Sequence, residues 1–435
     1  MSSIKIYPTQ LNGEVVIPPS KSLAHRAIIC ASLSQGESII SNIDFSDDIV
    51  ATIQAAKALG ADIRQEKDTL YIKGIFRENF QRYRKGKKSD ITIDCNESGS
   101  TLRFFVPISM IIGDDVRFTG RGNLGKRPLT PFYDIFNKQG IEYEYKVKEL
   151  DLRIRDKLKA DEFRLPGDIS SQFISGLLFS LPLLEEDSTI VLTSPLESRG
   201  YIDLTLQTLE MFGIEITNDN YETFRIAGNQ KYKATNYTVE GDFSQAAFFL
   251  IAGAIGNNIA VKNIDVASYQ ADKEVISLLE RIGAKLTITD RTIVAKKDKL
   301  RAIKMNGSEC PDIVPIMALI LALCKGESEI ANVARLRIKE CDRLKAINSE
   351  LSKLGAHIDE SATKLAINGV EELYATKVLS SHKDHRIAMT IAIAATVSKN
   401  EIILEDPECV AKSYPSFWDD YKLLGGRIEL VDSES

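Results

Sequence analysis

Residues 18–26 carry a lysine and an arginine at a spacing suited to binding an anion. Lys21 follows Ser20 in a turn that opens a helix, and Arg26 comes about one turn later. Both side chains can therefore reach one ligand. A capped amphipathic helix with exposed basic residues has the same appearance, so this segment alone leaves phosphate binding and simple solvation equally open.

Two stretches of small polar residues could cradle a phosphate group. Gly99 lies in a serine-rich stretch and permits a ligand to approach the backbone closely where a helix begins. Ser170, Ser171 and Gln172 offer two hydroxyls and an amide at another helix start. Ser198 could add to that cradle. An N-cap role would explain the second stretch equally well, and the first lacks the spacing of a P-loop.

Acidic, basic and histidine side chains gather in the second half of the chain. Residues 337–344 alternate charges at the start of a helix, although a solvated helix face with ion pairs three residues apart would look the same. Asp384, His385 and Arg386 run straight into an apolar helix. Histidine and arginine at such a helix start are unusual for solvation alone, so this half is expected to supply acid–base groups.

The elements that position these segments recur six times. In each copy an apolar helix stops at a glycine and a strand resumes at once, with successive glycines roughly 70 to 80 residues apart. About 40 residues before each glycine lies a polar helix start, and a second helix start follows roughly 12 to 15 residues before it. The six glycines are Gly60, Gly140, Gly213, Gly283, Gly355 and Gly425.

The repeats predict an α/β protein divided into residues 21–241 and 242–435, with the first strand able to pair with either half. Packing of the repeats about approximate threefold axes would point all the helix N-termini at one cleft. Free backbone N–H groups and positive dipole ends would meet there, which predicts an anion-binding architecture.

Composition limits the function classes. The 435 residues carry a net charge of -6, which gives no general attraction to nucleic acid or anionic lipid. The six cysteines show no metal-ligand spacing, so no metal or cofactor is expected.

The start of the sequence has no secretory signal, which favours a cytoplasmic location. The longest apolar run, residues 313–324, contains Pro315 and is shorter than the roughly 20 residues of a membrane span, so it predicts a core helix.

Four segments together resemble the signature segments of the EPSP synthases, a family of enolpyruvyl transferases. They are residues 19–26, 167–172, 339–344 and 384–389. The resemblance runs essentially from end to end. It implies two similar domains, each of three βαβαββ-type units about a pseudo-threefold axis in an inside-out α/β barrel, with residues 1–20 joining 242–435 in the C-terminal domain.

The resemblance also implies an activity and its residues. The enzyme would move the enolpyruvyl group of phosphoenolpyruvate onto the 5-hydroxyl of shikimate 3-phosphate, with these two small molecules as its partners. The sequence shows no strong oligomer signal, so a monomer is expected. Shikimate 3-phosphate would contact Lys21, Ser22, Arg26, Ser170, Ser171, Ser198, Asp312 and Lys339. Phosphoenolpyruvate would contact Lys21, Gly99, Arg127, Gln172, Arg343, Arg386 and Lys412.

Addition followed by elimination is the mechanism that the resemblance implies. Asp312 is the candidate acceptor of the hydroxyl proton and Glu340 the candidate for exchanging the methyl proton, with Lys21 as a rival or partner. The cations would come from both halves, so closure of the cleft is expected.

Two alternatives are weighed against this interpretation. The sister enzymes that act on UDP-N-acetylglucosamine usually have Lys-Asn in place of Lys21-Ser22 and commonly a cysteine in the loop at 120–131, which has none here. A non-catalytic RNA-binding protein of the same fold is disfavoured by net acidity and by the lack of aromatic-interleaved basic stretches. Glu97 and Arg335 depart from the family pattern and bear on local contacts only.

Overall fold

The computed structural model describes residues 2–75, 91–112, 115–146 and 149–431. Within them the chain forms two compact units, one of residues 1–20 with 240–435 and one of residues 21–239.

The α-helices of the described residues are α1 (Lys21–Leu33), α2 (Asp47–Ala58), α3 (Gly99–Ile112), α4 (Thr130–Gln139), α5 (Ser171–Ser180), α6 (Arg199–Met211), α7 (Phe243–Ile255), α8 (Val275–Ile282), α9 (Val314–Ala322), α10 (Arg343–Lys353), α11 (His385–Ala395) and α12 (Phe417–Leu423).

The strands are β1 (Ser3–Ile6), β2 (Asn12–Val16), β3 (Glu37–Ser41), β4 (Asp62–Glu66), β5 (Thr69–Lys73), β6 (Ile91–Asp94), β7 (Val116–Thr119), β8 (Tyr143–Tyr145), β9 (Asp151–Ile154), β10 (Glu162–Leu165), β11 (Ser188–Leu192), β12 (Ile216–Asp219), β13 (Thr223–Ile226), β14 (Tyr237–Thr238), β15 (Asn258–Lys262), β16 (Lys285–Thr289), β17 (Thr292–Lys296), β18 (Lys304–Asn306), β19 (Glu327–Ala331), β20 (His357–Glu360), β21 (Leu365–Asn368), β22 (Leu379–Ser380), β23 (Ile402–Glu405) and β24 (Ile428–Val431).

Six four-stranded sheets share one topology. In the sheet β6-β7-β9-β8, β6 and β7 run parallel with Ile91 opposite Val116, and β9 pairs antiparallel with both β7 and β8. With α3 and α4 between its strands, this repeat reads βαβαββ, as predicted. Three sheets draw a strand from a distant part of the chain: β14 joins β3, β2 joins β15, and β1 lies between β23 and β24.

The six predicted glycine signatures are confirmed. Each glycine follows the second helix of its repeat and adopts a positive φ, from 68° at Gly140 to 109° at Gly60. A side chain is disfavoured in this left-handed conformation, and glycine carries no such penalty. The N–H of the following residue can then bond back into the last turn, as that of Ala284 does to the Leu279 carbonyl at 2.9 Å.

The first helix of each repeat is the more deeply buried. Every residue of α7 and α9 is buried, which confirms the core helix predicted around residues 313–324. The second helices are amphipathic, as in α8, where Val275, Leu278, Leu279 and Ile282 face inward. Among the described residues no helix is both long and apolar enough to cross a membrane.

The helices α7, α9 and α11 pack against one another in pairs. Asp242 caps α7 and Asp384 caps α11, while Asp312 lies in the turn before α9. The packing therefore collects charged residues at helix starts within this unit.

Candidate functional site

Lys21 opens α1 and lies against the first turn of α2. Its Nζ is 2.8 Å from Asp48 Oδ2, and its side chain is 17% exposed. The Lys21 side chain is therefore held beside Asp48 while part of it stays exposed.

Arg26 is buried and joins α1 to α6. Its Nε donates to Thr205 Oγ1 at 2.9 Å, its Nη1 to the Ser22 carbonyl at 2.7 Å and its Nη2 to the Tyr201 carbonyl at 2.9 Å. Burial lowers the pKa of Arg26 to about 10, so it stays charged at neutral pH. These bonds give Arg26 a role in holding helices together, and its contact with a substrate stays a prediction.

Two guanidinium groups converge on Gly99. A Cβ at this position would lie 2.6 Å from Arg127 Nη1 and 3.3 Å from Arg103 Nη1. Arg103 Nη1 also donates to Gln172 Oε1 at 2.7 Å, and Gln172 Nε2 donates to Ser100 Oγ at 2.9 Å. Two cations, an amide and the N-terminus of α3 therefore surround a residue without a side chain, an arrangement suited to a carboxylate or phosphate.

Arg103 lies beside Gly99 and Gln172 but was not among the residues predicted for the site. It is buried in α3 between apolar neighbours that include Leu102 and Phe104, and it lies over the ring of Phe173 at 5.0 Å. A charged residue within an apolar helix requires polar partners, so the position of Arg103 in the sequence could have indicated such partners.

The serine cradle lies at the starts of α5 and α6. Ser170 caps α5 by accepting a hydrogen bond from the Gln172 N–H at 3.3 Å, which realises the N-cap alternative. Its hydroxyl hydrogen can still be donated to an anion. Ser171 and Ser198 are buried, and Ser198 precedes α6 with a φ of 57°.

A buried hydroxyl chain sets the spacing of α1, α2 and α3. His25 Nδ1 lies 2.7 Å from Thr52 Oγ1, Thr52 lies 2.8 Å from Thr101, and Thr101 donates to Ser98 Oγ at 2.7 Å. Burial lowers the pKa of His25 to about 3, so this imidazole is neutral and acts in positioning.

In the other unit, Arg343 joins three carboxylates. Its Nη1 is 2.9 Å from Asp312 Oδ1, its Nη2 is 2.7 Å from Glu340 Oε2 and its Nε is 2.7 Å from Asp384 Oδ2. The Arg343 side chain is 1% exposed. The predicted residues Asp312, Glu340 and Arg343 therefore form one cluster.

Arg386 and Lys339 approach the same aspartate. Arg386 Nη2 lies 3.5 Å from Asp312 Oδ2, and Lys339 Nζ lies 3.7 Å from Asp312 Oδ1. Within the part of the chain that the structure describes, the buried Nε and Nη1 of Arg386 have no hydrogen-bond partner. Buried guanidinium donors normally find an acceptor, so this geometry suits an anionic ligand.

The charges of this cluster shift its pKa values in opposite directions. Burial alone would raise the pKa of Asp312, but Lys339, Arg386 and Arg343 together hold it well below its usual range. Burial lowers the pKa of Lys339 to about 8, although Asp312 opposes that change. Asp312 is therefore ionised at neutral pH, and Lys339 can lose its proton at mildly alkaline pH.

Lys412 and the two departures from the family pattern have defined places. Lys412 is buried at the end of a short 3-10 helix, Pro407–Lys412, that packs on α11, the helix of Arg386. Arg335 is buried and donates to the Ser308 carbonyl at 2.5 Å. The Glu97 carboxyl occupies the space beside Gly122, where a Cβ would lie 2.5 Å from its Oε1.

The predicted site residues thus fall into two groups, one in each unit. Among the described residues, no three or more His, Cys, Asp or Glu side chains are placed to hold a metal ion. That both groups contact one pair of substrates stays a prediction.

Comparison with known proteins gives consistent matches. The model of the family described as EPSP synthase (3-phosphoshikimate 1-carboxyvinyltransferase) matches residues 6–421. A 3-phosphoshikimate 1-carboxyvinyltransferase from Clostridium beijerinckii is 56% identical over 428 residues, covering 98% of each chain. One from Clostridioides difficile is 55% identical and covers 99% of each chain.

Solved structures match in fold. EPSP synthase from Acinetobacter baumannii superposes with a TM-score of 0.79 at 23% sequence identity, over 99% of this chain and 100% of that one. The enolpyruvyl transferase NikO from Streptomyces tendae also reaches a TM-score of 0.79 at 14% identity, over 99% and 98% of the two chains.

Proposed function

This chain belongs to the EPSP synthase (3-phosphoshikimate 1-carboxyvinyltransferase) family, and on that premise we propose the reaction and the residues that perform it. The enzyme transfers the enolpyruvyl group of phosphoenolpyruvate to the 5-hydroxyl of shikimate 3-phosphate. Phosphate is the second product. Curated relatives of 55–56% identity over nearly the whole chain support this reaction over the UDP-N-acetylglucosamine alternative.

The unmet donors of Arg386 are the observation that carries the substrate assignment. A buried guanidinium with two nitrogens awaiting acceptors supports binding of an anionic substrate, and phosphoenolpyruvate brings both a carboxylate and a phosphate. The paired guanidinium groups of Arg103 and Arg127 beside Gly99 support a second contact with the same ligand. We assign phosphoenolpyruvate to Lys21, Gly99, Arg103, Arg127, Gln172, Arg343, Arg386 and Lys412.

Shikimate 3-phosphate takes the remaining residues. Hydroxyls at helix starts bind phosphate through neutral donors, and Lys21, at the start of α1, adds a positive charge. Asp312 accepts hydrogen bonds from the hydroxyl groups of the shikimate ring, and Lys339 Nζ lies 3.7 Å from Asp312 Oδ1. The assigned residues are Lys21, Ser22, Arg26, Ser170, Ser171, Ser198, Asp312 and Lys339.

The chemistry proceeds by addition and elimination. The 5-hydroxyl oxygen bonds to C2 of phosphoenolpyruvate, its proton passes to a base, and C3 gains a proton to become a methyl group. The C2–O bond to phosphate then breaks while the methyl group loses a proton, which restores the double bond. Fixed cations stabilise the charge that develops on the departing phosphate.

Proton transfer is assigned to the charged cluster. Asp312 is ionised at neutral pH and can accept the hydroxyl proton. Glu340, fixed by Arg343 at 2.7 Å, exchanges the proton at C3. Lys21 can share either role, since its Nζ lies at the start of α1, 2.8 Å from Asp48 Oδ2, on a partly exposed side chain.

Release of phosphate tests the reaction directly. The protein is incubated with phosphoenolpyruvate and either shikimate 3-phosphate or UDP-N-acetylglucosamine. Phosphate is expected only with shikimate 3-phosphate. Release with the nucleotide sugar alone, or salt-sensitive RNA binding without any release, would contradict the proposal.

Substitutions test the residues. Arg386→Ala is expected to raise the KM for phosphoenolpyruvate about 10- to 100-fold, since charge-assisted hydrogen bonds contribute about 1.5–3 kcal/mol each. Arg427→Ala, an exposed arginine paired with Glu429 in the same unit, is the control and should leave that KM unchanged. Near-normal turnover in well-folded Asp312→Asn or Glu340→Gln would refute the corresponding proton-transfer role.

A further inference from the structure

Glu350 is a buried carboxylate outside the groups assigned above. Its side chain is 2% exposed, on α10, seven residues and therefore about two turns after Arg343. Its Oε1 lies 2.8 Å from His382 Nε2, while its Oε2 accepts from Lys353 Nζ at 2.8 Å and from the Ser380 N–H at 2.9 Å. Its other hydrogen-bonding side chain on α10 is Ser349, while Ser380 ends β22 and His382 lies in the segment that connects β22 to α11.

This carboxylate keeps its charge. Burial would raise the pKa of Glu350, but hydrogen bonds from His382, Lys353 and the Ser380 backbone lower it to about 2. A fixed negative charge therefore faces the connecting segment throughout the physiological pH range.

The segment that Glu350 contacts has an unfavourable backbone. His382 and Lys383 are consecutive residues with φ of 52° and 55°, although neither is glycine. Residues with a Cβ are strained in the left-handed conformation and keep it only where their surroundings enforce it. The contacts of Glu350 with Ser380 and His382 provide that enforcement on the side of α10.

The strained turn leads directly to residues of the charged cluster. Asp384 follows Lys383, caps α11 through the Arg386 N–H at 2.9 Å and binds Arg343 Nε at 2.7 Å. Helix α10 is thus tied to this segment at two points, by Arg343 at its start and by Glu350 two turns later. A change in the turn would move Asp384, and with it both Arg343 and the start of α11.

From this ring of contacts we propose that Glu350 is a positioning residue for the reaction. It holds the turn at 380–383 in the shape that places Asp384, and through Asp384 it sets the separation of Arg343 and Arg386. The inference rests on the proposed function, because those two arginines are the ones assigned to phosphoenolpyruvate. Glu350 itself touches neither substrate.

The test compares Glu350→Ala with the wild type. The KM for phosphoenolpyruvate is expected to rise about 10- to 100-fold, as two strained residues lose their support. The affinity for inorganic phosphate, measured by calorimetry on the intact enzyme without turnover, should fall in parallel. Activities are expressed per folded molecule, with the folded fraction taken from near-ultraviolet circular dichroism.

Rescue separates positioning from simple stabilisation. Lys383→Gly removes the steric penalty of the left-handed conformation, so in that background Glu350→Ala should cost only about 3-fold in KM. A purely structural role predicts the same loss in both backgrounds, and that result would overturn the proposal. Glu329→Ala, which removes a partly exposed acid paired with Lys364 on β19, is the matched control and should change neither readout.

A second variant, Glu350→Gln, tests the proposal if Glu350→Ala does not fold. Glu350→Gln keeps the side-chain volume and the bond from Ser380 but removes the charge, and it should raise the KM for phosphoenolpyruvate about 3- to 10-fold. An unchanged KM in folded Glu350→Gln, together with unchanged phosphate affinity, would refute the proposal. If the wild type released no phosphate from its substrates, the proposed function would fail, while the phosphate-binding comparison would still decide whether Glu350 positions the arginines.

Discussion

Gly99 lies so close to two guanidinium groups that a Cβ at this position would clash with them. The nearest atoms to a Cβ would be the terminal nitrogens of Arg127 and Arg103, at 2.6 and 3.3 Å. Helix α3 itself would accommodate alanine there, since Gly99 has an ordinary helical backbone. A side chain at position 99 would therefore disturb the arginines and not the helix.

Gly99→Ala should separate affinity from stability. We expect the KM for phosphoenolpyruvate to rise about 10-fold or more because Arg127 must move, while the KM for shikimate 3-phosphate changes less than about twofold. The free energy of unfolding should stay equal or rise by up to about 1 kcal/mol, since alanine favours helices. Steady-state kinetics and urea denaturation measure the two effects.

Gly425→Ala is the matched control for that variant. Its site has no atom within 4 Å of a Cβ, but its φ is 92°. It should therefore lose about 1 kcal/mol of stability and keep its substrate affinity. An unchanged KM for phosphoenolpyruvate in Gly99→Ala would remove Gly99 from the site.

The buried surroundings of Asp272 raise the pKa of its carboxyl group. It is almost fully buried and hydrogen-bonded to Ser244 at the start of α7. Burial, aided by the negative charge of Asp312, raises the pKa of Asp272 to about 7. The folded protein therefore binds a proton here that the unfolded chain releases above about pH 4.

Asp272→Asn should flatten the pH dependence of stability. Because the folded pKa is the higher one, the wild type loses stability as pH rises from about 4 through 7. The variant should match the wild type near pH 4 and exceed it by about 2–4 kcal/mol near pH 8. Urea denaturation across this range measures the difference, with Asp265→Asn as a partly exposed control. A constant difference across pH would contradict the raised pKa.

Sequence analysis identified residues at helix starts more reliably than residues inside helices. Lys21, Asp312 and Arg386 lie at helix starts and form charged contacts there. The buried contacts of Arg103 with Gln172 and of Asp272 with Ser244 were not predicted, because they depend on which helices pack beside each other. The contacts of Arg343 with three carboxylates could not be predicted either, since one of them, Asp384, lies 41 residues away in the sequence.

At the scale of elements, prediction was strongest for helix ends. All six glycines end their helices with positive φ because the signal is local and steric. The first-helix starts were also predicted correctly, since their polar residues precede apolar runs. Strand exchange was not predictable from local sequence: β14 completes a sheet begun almost 200 residues earlier.

Two aspartates that cap helices provide a matched test of buried and exposed ion pairs. Asp384 caps α11 and binds Arg343, with both side chains at most 1% exposed. Asp342 caps α10 and binds Arg337, with exposures of 35% and 28%. Asparagine caps helices about as well as aspartate, so substitution isolates the ion pair.

Asp384→Asn should be much more destabilising than Asp342→Asn. Removing one partner of a buried pair costs about 3–5 kcal/mol, whereas an exposed pair contributes about 0–1 kcal/mol. The free energy of unfolding in urea measures both variants. Equal losses would mean that Glu340 and Asp312 compensate fully for the missing charge on Arg343.

At the scale of the whole molecule, each unit has a hydrophobic core of its own. The unit of residues 21–239 is continuous, whereas the other is assembled from both ends of the chain. The Ser20 N–H bonds to the Glu240 carbonyl at 2.7 Å, so the chain leaves and re-enters this second unit at one point. Strand β1 lies inside its sheet, paired on both sides.

The units should therefore fold separately, provided that residues 1–20 are retained. We expect two fragments to unfold cooperatively in urea and to be inactive alone. One is residues 21–239, and the other is residues 1–20 joined to 240–435 by a short glycine-serine linker.

Residues 240–435 without residues 1–20 should not fold. That fragment lacks Ile4, Ile6, Leu11, Val15 and Ile17, all buried. At about 1.5–3 kcal/mol each, these side chains account for about 7–15 kcal/mol, comparable to the whole stability of a typical domain. Cooperative unfolding of 240–435 by circular dichroism would show that β1 and β2 are dispensable, and an unfolded linked fragment would show that this unit depends on the other.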